Sequence, residues 1–182
     1  MKVGNRFLSR DFAGALEAVQ NVKGDTIDGL PKALLLADIQ VKLGNPAAAD
    51  AAYREAEESL RKTVAAESRR SGAAVGLTER YPRIQLAEVC AALGKREEAA
   101  RLAEEVLKDS PEISDVPASR GFAEVAANVF GRAGDLKRAT KMFRNLLEVP
   151  SSVTRFRLRN RPTYDEFRKD PEFSALVVEP GP

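Results

Sequence analysis

The chain has 182 residues, of which 43% are hydrophobic and 31% charged, and this composition is typical of one soluble globular domain. Its formal net charge of +2 is too small to draw the whole protein onto nucleic acid. There is no histidine and a single cysteine, which excludes Ser/His/Asp and Cys/His catalysis and an internal disulfide. No run reaches the roughly 20 apolar residues of a membrane span, and the N-terminus "MKVGNRFLSRDF" has no apolar signal region. We therefore expect no metal, no cofactor and no membrane insertion, with a cytoplasmic location as the default.

One pattern recurs along the chain, at 34–56, 84–106 and 124–146. Each copy has an apolar stretch of helical period, then a glycine, then an alanine five residues after that glycine. The glycines are Gly44, Gly94 and Gly134, and the alanines are Ala49, Ala99 and Ala139. A partial copy at 10–19 has Ala15 in the alanine position.

The repeated unit predicts a pair of antiparallel helices. Glycine accepts the left-handed conformation that ends a helix, and Asn45 and Asp135 are suited to cap the helix that follows. Pro46 suits the first turn of a helix, and the stretch from Pro46 towards Arg70 indicates one long helix. The alanines are expected where the two helices of a pair approach closely.

These residues resemble the tetratricopeptide repeat. The small residues that this family has in its first helix are Ala37, Ala87 and Ala127, and the aromatic one turn beyond the alanine is met by Tyr53 and Phe143. The resemblance implies an all-α fold, a right-handed superhelical solenoid. Residues 1–149 would form about three to four helical hairpins, and residues 150–182 a C-terminal capping tail.

The tail resembles the C-terminal segment of bacterial multidomain signalling proteins that carry such repeats behind a serine/threonine kinase or cyclase. The matching residues are Leu158, Pro162, Tyr164, Asp165, Phe167, Arg168, Asp170, Pro171, Phe173, Leu176 and Val177. The resemblance implies a piece of a larger signalling protein. Because the ends of a solenoid have to be covered, we expect the tail to cover the last repeats, with Phe167 and Phe173 as plugs.

The same tail contains four arginines at alternate positions: Arg155, Arg157, Arg159 and Arg161. In an extended segment these side chains would share one face and could grip nucleic acid or another anion. The other interpretation is a structural cap whose arginines pair with acidic helices of the array, and we expect this one because acids follow at once in the sequence.

The first helix of each hairpin faces the ligand in the family that the chain resembles. By register, the groove positions with polar or aromatic character are Asp38, Lys42, Tyr81, Glu88, Glu124, Asn128 and Arg132, and the apolar ones include Leu34, Val41 and Ile84. This set predicts a groove for a partner protein or peptide segment, or for a catalytic domain of the same longer chain. The alternative left open is that no ligand uses the groove, because the C-terminal tail or a missing N-terminal region occupies it.

The remaining candidates have structural interpretations. Cys90 is expected to pack in the core, and "GAAVG" (72–76), within the stretch 71–80, is expected to be a connecting loop because it lacks the lysine of a phosphate loop. The acidic pairs at 57–58, 97–98 and 104–105 are expected on solvated faces. A hydrolase with paired carboxylates is a third class, and nothing in the repeat pattern brings two acids together. We therefore expect a protein without enzymatic activity.

Overall fold

A computed structural model describes residues 2–71, 77–109 and 117–178, and these are mostly helical, which confirms the all-α prediction. The helices are α1 (Lys2–Leu8), α2 (Phe12–Gln20), α3 (Lys32–Lys42), α4 (Pro46–Ser71), α5 (Leu77–Ala92), α6 (Arg96–Asp109), α7 (Pro117–Ala133), α8 (Leu136–Glu148), α9 (Arg155–Asn160) and α10 (Pro171–Val177). Two short 3-10 turns, Pro162–Tyr164 and Phe167–Lys169, lie between α9 and α10. None of the helices in these ranges is both long and apolar enough to cross a membrane.

Consecutive helices pack as pairs: α1 with α2, α3 with α4, α5 with α6, and α7 with α8. The last three pairs are joined at the predicted glycines, whose φ angles are +74° at Gly44, +75° at Gly94 and +105° at Gly134. After Gly44 the two backbone bonds of a Schellman motif close the helix, and the same pair of bonds recurs at Gly94 and Gly134. The glycine prediction is therefore confirmed.

The alanines lie at the helix contacts where they were expected. Ala99 and Ala139 are fully buried, and Ala49 is nearly so. Ala37 and Ala87 on the partner helices are also fully buried. A larger side chain at these positions would force the paired helices apart, because cores are packed closely enough to respond to one added methylene group.

The helix starts agree with the sequence at one position and differ at another. Asp135 caps α8, since its side chain accepts the backbone N–H of Arg138 at 3.0 Å. Asn45 instead donates its amide to Oε1 of Gln40 at 2.9 Å. The long helix from Pro46 is confirmed as α4.

The stretch 71–80, predicted as a connection, is not a loop throughout, because α5 already begins at Leu77. Residues 72–76 lie outside the described residues, and so does the loop predicted there.

A short β-hairpin between α2 and α3 was not predicted. Strands β1 (Thr26–Ile27) and β2 (Leu30–Pro31) pair antiparallel. The residues between them, Asp28 and Gly29, have φ angles of +51° and +79°, as a type I′ turn requires. The Asp-Gly pair was a recognisable signal for such a turn in the sequence.

The tail is joined to the core of the helical pairs by a cluster of aromatic rings. Phe143 of α8 meets the ring of Tyr164 edge to face at 5.3 Å and that of Phe173 at 5.6 Å. Phe167 lies 5.5 Å from Phe173, and all four side chains are buried. The tail therefore packs against α8, and Phe167 and Phe173 are buried there as plugs.

The extended conformation considered for the arginine stretch is wrong, because residues Arg155–Asn160 form helix α9. Thr154 caps this helix by accepting the N–H of Arg157 at 3.1 Å. Leu158 is fully buried while Phe156 is 73% exposed. In a helix alternate residues point about 200° apart, so these arginines do not form one row.

Candidate functional site

The sequence-predicted groove residues converge on one face of the molecule. Five of the seven polar or aromatic positions line a single cavity of about 340 Å³ between α3, α5, α7 and the tail, here called the first cavity. They are Asp38, Glu88, Glu124, Asn128 and Arg132. The face of α3, α5 and α7 that carries them is called the groove below.

An ion pair across the groove connects α3 with α7. Arg132 lies 3.5 Å from Oδ1 of Asp38, and the buried Tyr53 donates its hydroxyl to the same oxygen at 2.6 Å. Burial, with the charge of Asp38 adding to it, raises the pKa of Tyr53 well above its usual range. Burial alone would lower the pKa of Arg132, but Asp38, Tyr53 and Glu88 together raise it above its usual value. At neutral pH Tyr53 therefore keeps its proton and Arg132 its positive charge.

Glu88 of α5 faces the same cavity. Its carboxylate accepts the amide N–H of Asn128 at 3.2 Å. Burial raises the pKa of Glu88 to about 7, the charge of Asp38 adds to the rise, and Arg132 opposes it. Near neutral pH this carboxyl group is therefore divided between its charged and neutral forms.

Glu124 of α7 fastens the tail. Its Oε1 accepts the hydroxyl of the buried Tyr164 at 2.9 Å and forms an ion pair with Arg157 at 2.9 Å, while Oε2 accepts the hydroxyl of Ser152 at 3.0 Å. Arg161 lies 3.6 Å away. Burial and the charge of Glu124 raise the pKa of Tyr164 far above its usual range, so this hydroxyl remains a donor.

A second cluster of charges, around Asp165, ties the tail to the first helices of the chain. Asp165 accepts from Arg10 at 2.8 Å and from Lys42 at 3.0 Å, and it also pairs with Arg168. Lys42 additionally donates to the backbone oxygen of Pro162 at 2.6 Å. Lys42 was predicted to face a ligand, but its ammonium group is bound to the tail.

A second cavity of about 460 Å³ adjoins the first. Both cavities are lined by Phe7, Asp38, Arg132 and Thr163, so they are neighbouring parts of one groove. Tyr81, predicted to face the groove, lines neither cavity; it is 51% exposed and its ring packs 4.8 Å from that of Phe122.

Three of the four arginines of the alternating stretch have partners within the protein. Arg157 and Arg161 lie against Glu124, and Arg159 donates to the backbone oxygen of Val177 at 2.7 Å. Arg155 lies on the exposed side of α9. The helix thus uses most of its guanidinium groups to hold the tail in place.

Another group of possible ligand atoms lies away from the groove, at Glu57, Cys90 and Glu98, whose ligand atoms lie within 4.8 Å of one another. Glu57 is only 8% exposed and binds Lys95 at 2.6 Å, and Arg61 contacts both carboxylates. The prediction of a solvated face is therefore wrong for Glu57. Burial raises the pKa of the Cys90 thiol to about 11, and Cys90 packs in the core as predicted.

The sequence reasoning missed two walls of the first cavity. The tail contributes Arg157, Arg161 and Tyr164, and the α1 side contributes apolar residues such as Val3 and Phe7. The tail was considered as an occupant of the groove, whereas the structure places it as a wall that leaves two cavities beside it. The spacing of apolar residues near the N-terminus could have predicted helix α1, but it could not have predicted that α1 lies beside α3.

Comparisons with known proteins found no family model, no curated protein and no solved structure that matches this chain.

Proposed function

We propose that this chain is a non-catalytic binding module, a right-handed superhelical solenoid of tetratricopeptide type that holds a short segment of another protein in its groove. The observation that carries the proposal is the pair of adjoining cavities along α3, α5 and α7, which share four lining residues.

The repeated helix joint supports the solenoid. Gly44, Gly94 and Gly134 end equivalent helices with the same backbone bonds, and a buried alanine follows each of them by five residues. Identical joints stack successive hairpins with a similar rotation, which is how helical repeats build a curved groove.

The size and division of the groove support a peptide segment as the occupant. Two neighbouring cavities of about 340 and 460 Å³ suit successive side chains of one chain better than a single compact molecule. The rigid helices around them reduce the ordering cost of binding. The tail narrows the groove at the α7 end, because Tyr164 and Arg157 hold Glu124 there.

The absence of histidine from the sequence and the buried, weakly acidic thiol of Cys90 support a function without chemistry. The resemblance of the tail to that of bacterial signalling proteins supports a role as the scaffold or sensor part of such a protein. The partner is then another protein or a catalytic domain of the same longer chain.

A peptide selection tests this proposal. Random peptides displayed on phage are selected against the whole chain, and selected sequences are synthesised and titrated against the wild type and against Leu35→Trp. Leu35 lines the first cavity and is partly exposed, so the larger ring extends into the cavity. The control, Ala51→Trp, adds the same ring at an exposed position of α4.

We expect selected peptides to bind the wild type and the control and to lose at least about tenfold in affinity with Leu35→Trp. If no peptide is enriched, or if the enriched peptides bind both tryptophan variants equally, the groove is not the binding site and the proposal is wrong.

The alternative of anion binding through the tail makes a different prediction. Nucleic-acid affinity would fall steeply with salt and would vanish when Arg155, Arg157 and Arg159 become glutamates. The contacts of Arg157 and Arg159 within the protein support the structural role instead.

A further inference from the structure

In the first cavity Glu88 forms no ion pair with any residue that the structure describes. Asp38 pairs with Arg132 at 3.5 Å and Glu124 pairs with Arg157 at 2.9 Å. Within the described ranges no lysine or arginine nitrogen lies within 4.0 Å of the Glu88 carboxylate, which accepts one amide N–H from Asn128. A carboxylate placed in this way is costly to ionise until a positive charge joins it.

Asn128, which lines the same cavity, has an acceptor atom without a donor in the part of the chain that the structure describes. Its side chain is 4% exposed, and its Oδ1 is buried with no donor among the described residues. If the amide O and N of Asn128 were exchanged, its carbonyl oxygen would face Glu88 and could accept a hydrogen bond only from the protonated acid. When Glu88 is ionised, therefore, Oδ1 of Asn128 has no donor among the described residues, and burying an acceptor without a donor destabilises the protein.

The rest of the first cavity is mostly apolar. Its walls include Val3, Phe7 and Leu34, together with Leu8, which is 46% exposed at the solvent side. A ligand that fits both parts carries several N–H donors and a positive charge at one end and a hydrocarbon chain behind it. A carboxylate or phosphate fits less well, because it would lie beside Glu88 and each arginine of the cavity already has an acidic partner.

We propose that the first cavity binds a primary ammonium group at the end of a short apolar chain, with Glu88 and Asn128 as its acceptors, and that a lysine of the bound protein segment supplies it. This inference rests on the proposed function for the source of the ammonium group. The three N–H donors of an ammonium group are enough to satisfy both acceptors.

The charge state of Glu88 gives this recognition a pH dependence. The groups that face Glu88 are Asp38 on α3 and Glu124, Asn128 and Arg132 on α7. Because burial raises the pKa of Glu88 to about 7, an ammonium group has to displace a proton at pH 6 but meets an ionised carboxylate at pH 8. A lysine side chain stays charged over this range, so affinity rises with pH.

The test uses two probes that differ by the ammonium group alone. Nα-acetyl-lysine methylamide and Nα-acetyl-norleucine methylamide are titrated into the whole chain at pH 8 and followed by NMR chemical shifts. The variants are Glu88→Gln, which keeps the shape of the side chain, and Asn128→Ala. The matched control is Glu55→Gln, the same change at an exposed acid of α4.

We expect the wild type and the control to bind the lysine probe at least about tenfold more tightly than the norleucine probe, because only the lysine probe can donate charged hydrogen bonds to Glu88. The preference should disappear in Glu88→Gln and weaken in Asn128→Ala. Equal affinities of the two probes, a preference that survives Glu88→Gln, or no binding of the lysine probe to the folded wild type would each overturn the inference.

The outcome separates this inference from the proposed function. Selected peptides that bind the groove without preference for lysine refute the inference and leave the proposed function standing. Binding of the lysine probe by a chain that selects no peptide supports the ammonium site and refutes the peptide source, which leaves a free amine as the ligand.

Discussion

A single methyl group added beneath the tail tests whether the tail is seated as the structure shows. Gly131 lies in α7, and a Cβ atom added there would lie 2.8 Å from Cε2 of Phe167 and closer still to Cζ. The ring of Phe167 cannot simply retreat, because it is packed against Tyr164 and Phe173. We expect this overpacking to cost about 1–3 kcal/mol of unfolding free energy.

Gly121 in the same helix supplies the matched control, because an added Cβ meets nothing within 4 Å there. Replacing a helical glycine by alanine stabilises a helix by about 1 kcal/mol. We therefore expect Gly121→Ala to be more stable than the wild type by up to about 1 kcal/mol. Gly131→Ala should range from about neutral to about 2 kcal/mol less stable, since the same gain is offset by the contact with Phe167.

Urea unfolding followed by circular dichroism measures both variants, and the difference between them isolates the contact. In a Phe167→Ala background the space is open, so Gly131→Ala should stabilise the protein there as Gly121→Ala does. If Gly131→Ala matches Gly121→Ala in the chain that retains Phe167, the ring is not packed on α7 and the capping role of the tail is refuted.

Three further predictions concern charge and backbone. Burial alone would raise the pKa of Asp165, but hydrogen bonds from Arg10 and Lys42 lower it to about 2. The stability this carboxylate contributes, about 1–2 kcal/mol, is therefore present above about pH 4 and lost as the pH falls towards 2. The unfolding free energy of Asp165→Asn should lack this fall in acid. The prediction is contradicted if the variant loses as much stability as the wild type between about pH 4 and pH 2. Because the pKa of Glu88 is raised, ionisation destabilises the folded chain as the pH rises from about 5 to 8. Relative to the wild type, the unfolding free energy of Glu88→Gln should therefore rise by about 1–2 kcal/mol from about pH 5 to about pH 8, as measured by urea titration. If the difference between the two proteins does not change with pH, the raised pKa of Glu88 is refuted. Gly94 has a φ of +75°, and a Cβ added there would meet no atom. Gly94→Ala should therefore lose about 1–2 kcal/mol of unfolding free energy through backbone strain alone. A thermal unfolding midpoint equal to that of the wild type would disprove this.

The helical pairs could be predicted from the sequence because their signals are local. A glycine such as Gly94 marks a helix end through its own conformational freedom, and Ala99 marks a close approach by its small size. The groove positions on α3, α5 and α7 followed from the register of these joints. Asp38, Glu88 and Asn128 line one cavity.

The parts that could not be predicted depend on contacts between distant segments. The alternation of arginines suggested an extended strand, but a Thr154 cap and a buried Leu158 favour a helix once the tail packs on the array. The contact between Arg10 and Asp165 joins opposite ends of the chain, and no periodicity in the sequence reports such a pair. Exposed Tyr81 had the right register but lies beyond the cavities.

The most direct test of the binding groove is a map of where a selected peptide contacts the protein. Backbone amide shifts of the whole chain are recorded by NMR during titration with one selected peptide. We expect the shifted residues to cluster on α3, α5 and α7 around Asp38, Glu88 and Asn128. Shifts confined to α4, α6 and α8, or to α9, would show that the groove is not the binding surface.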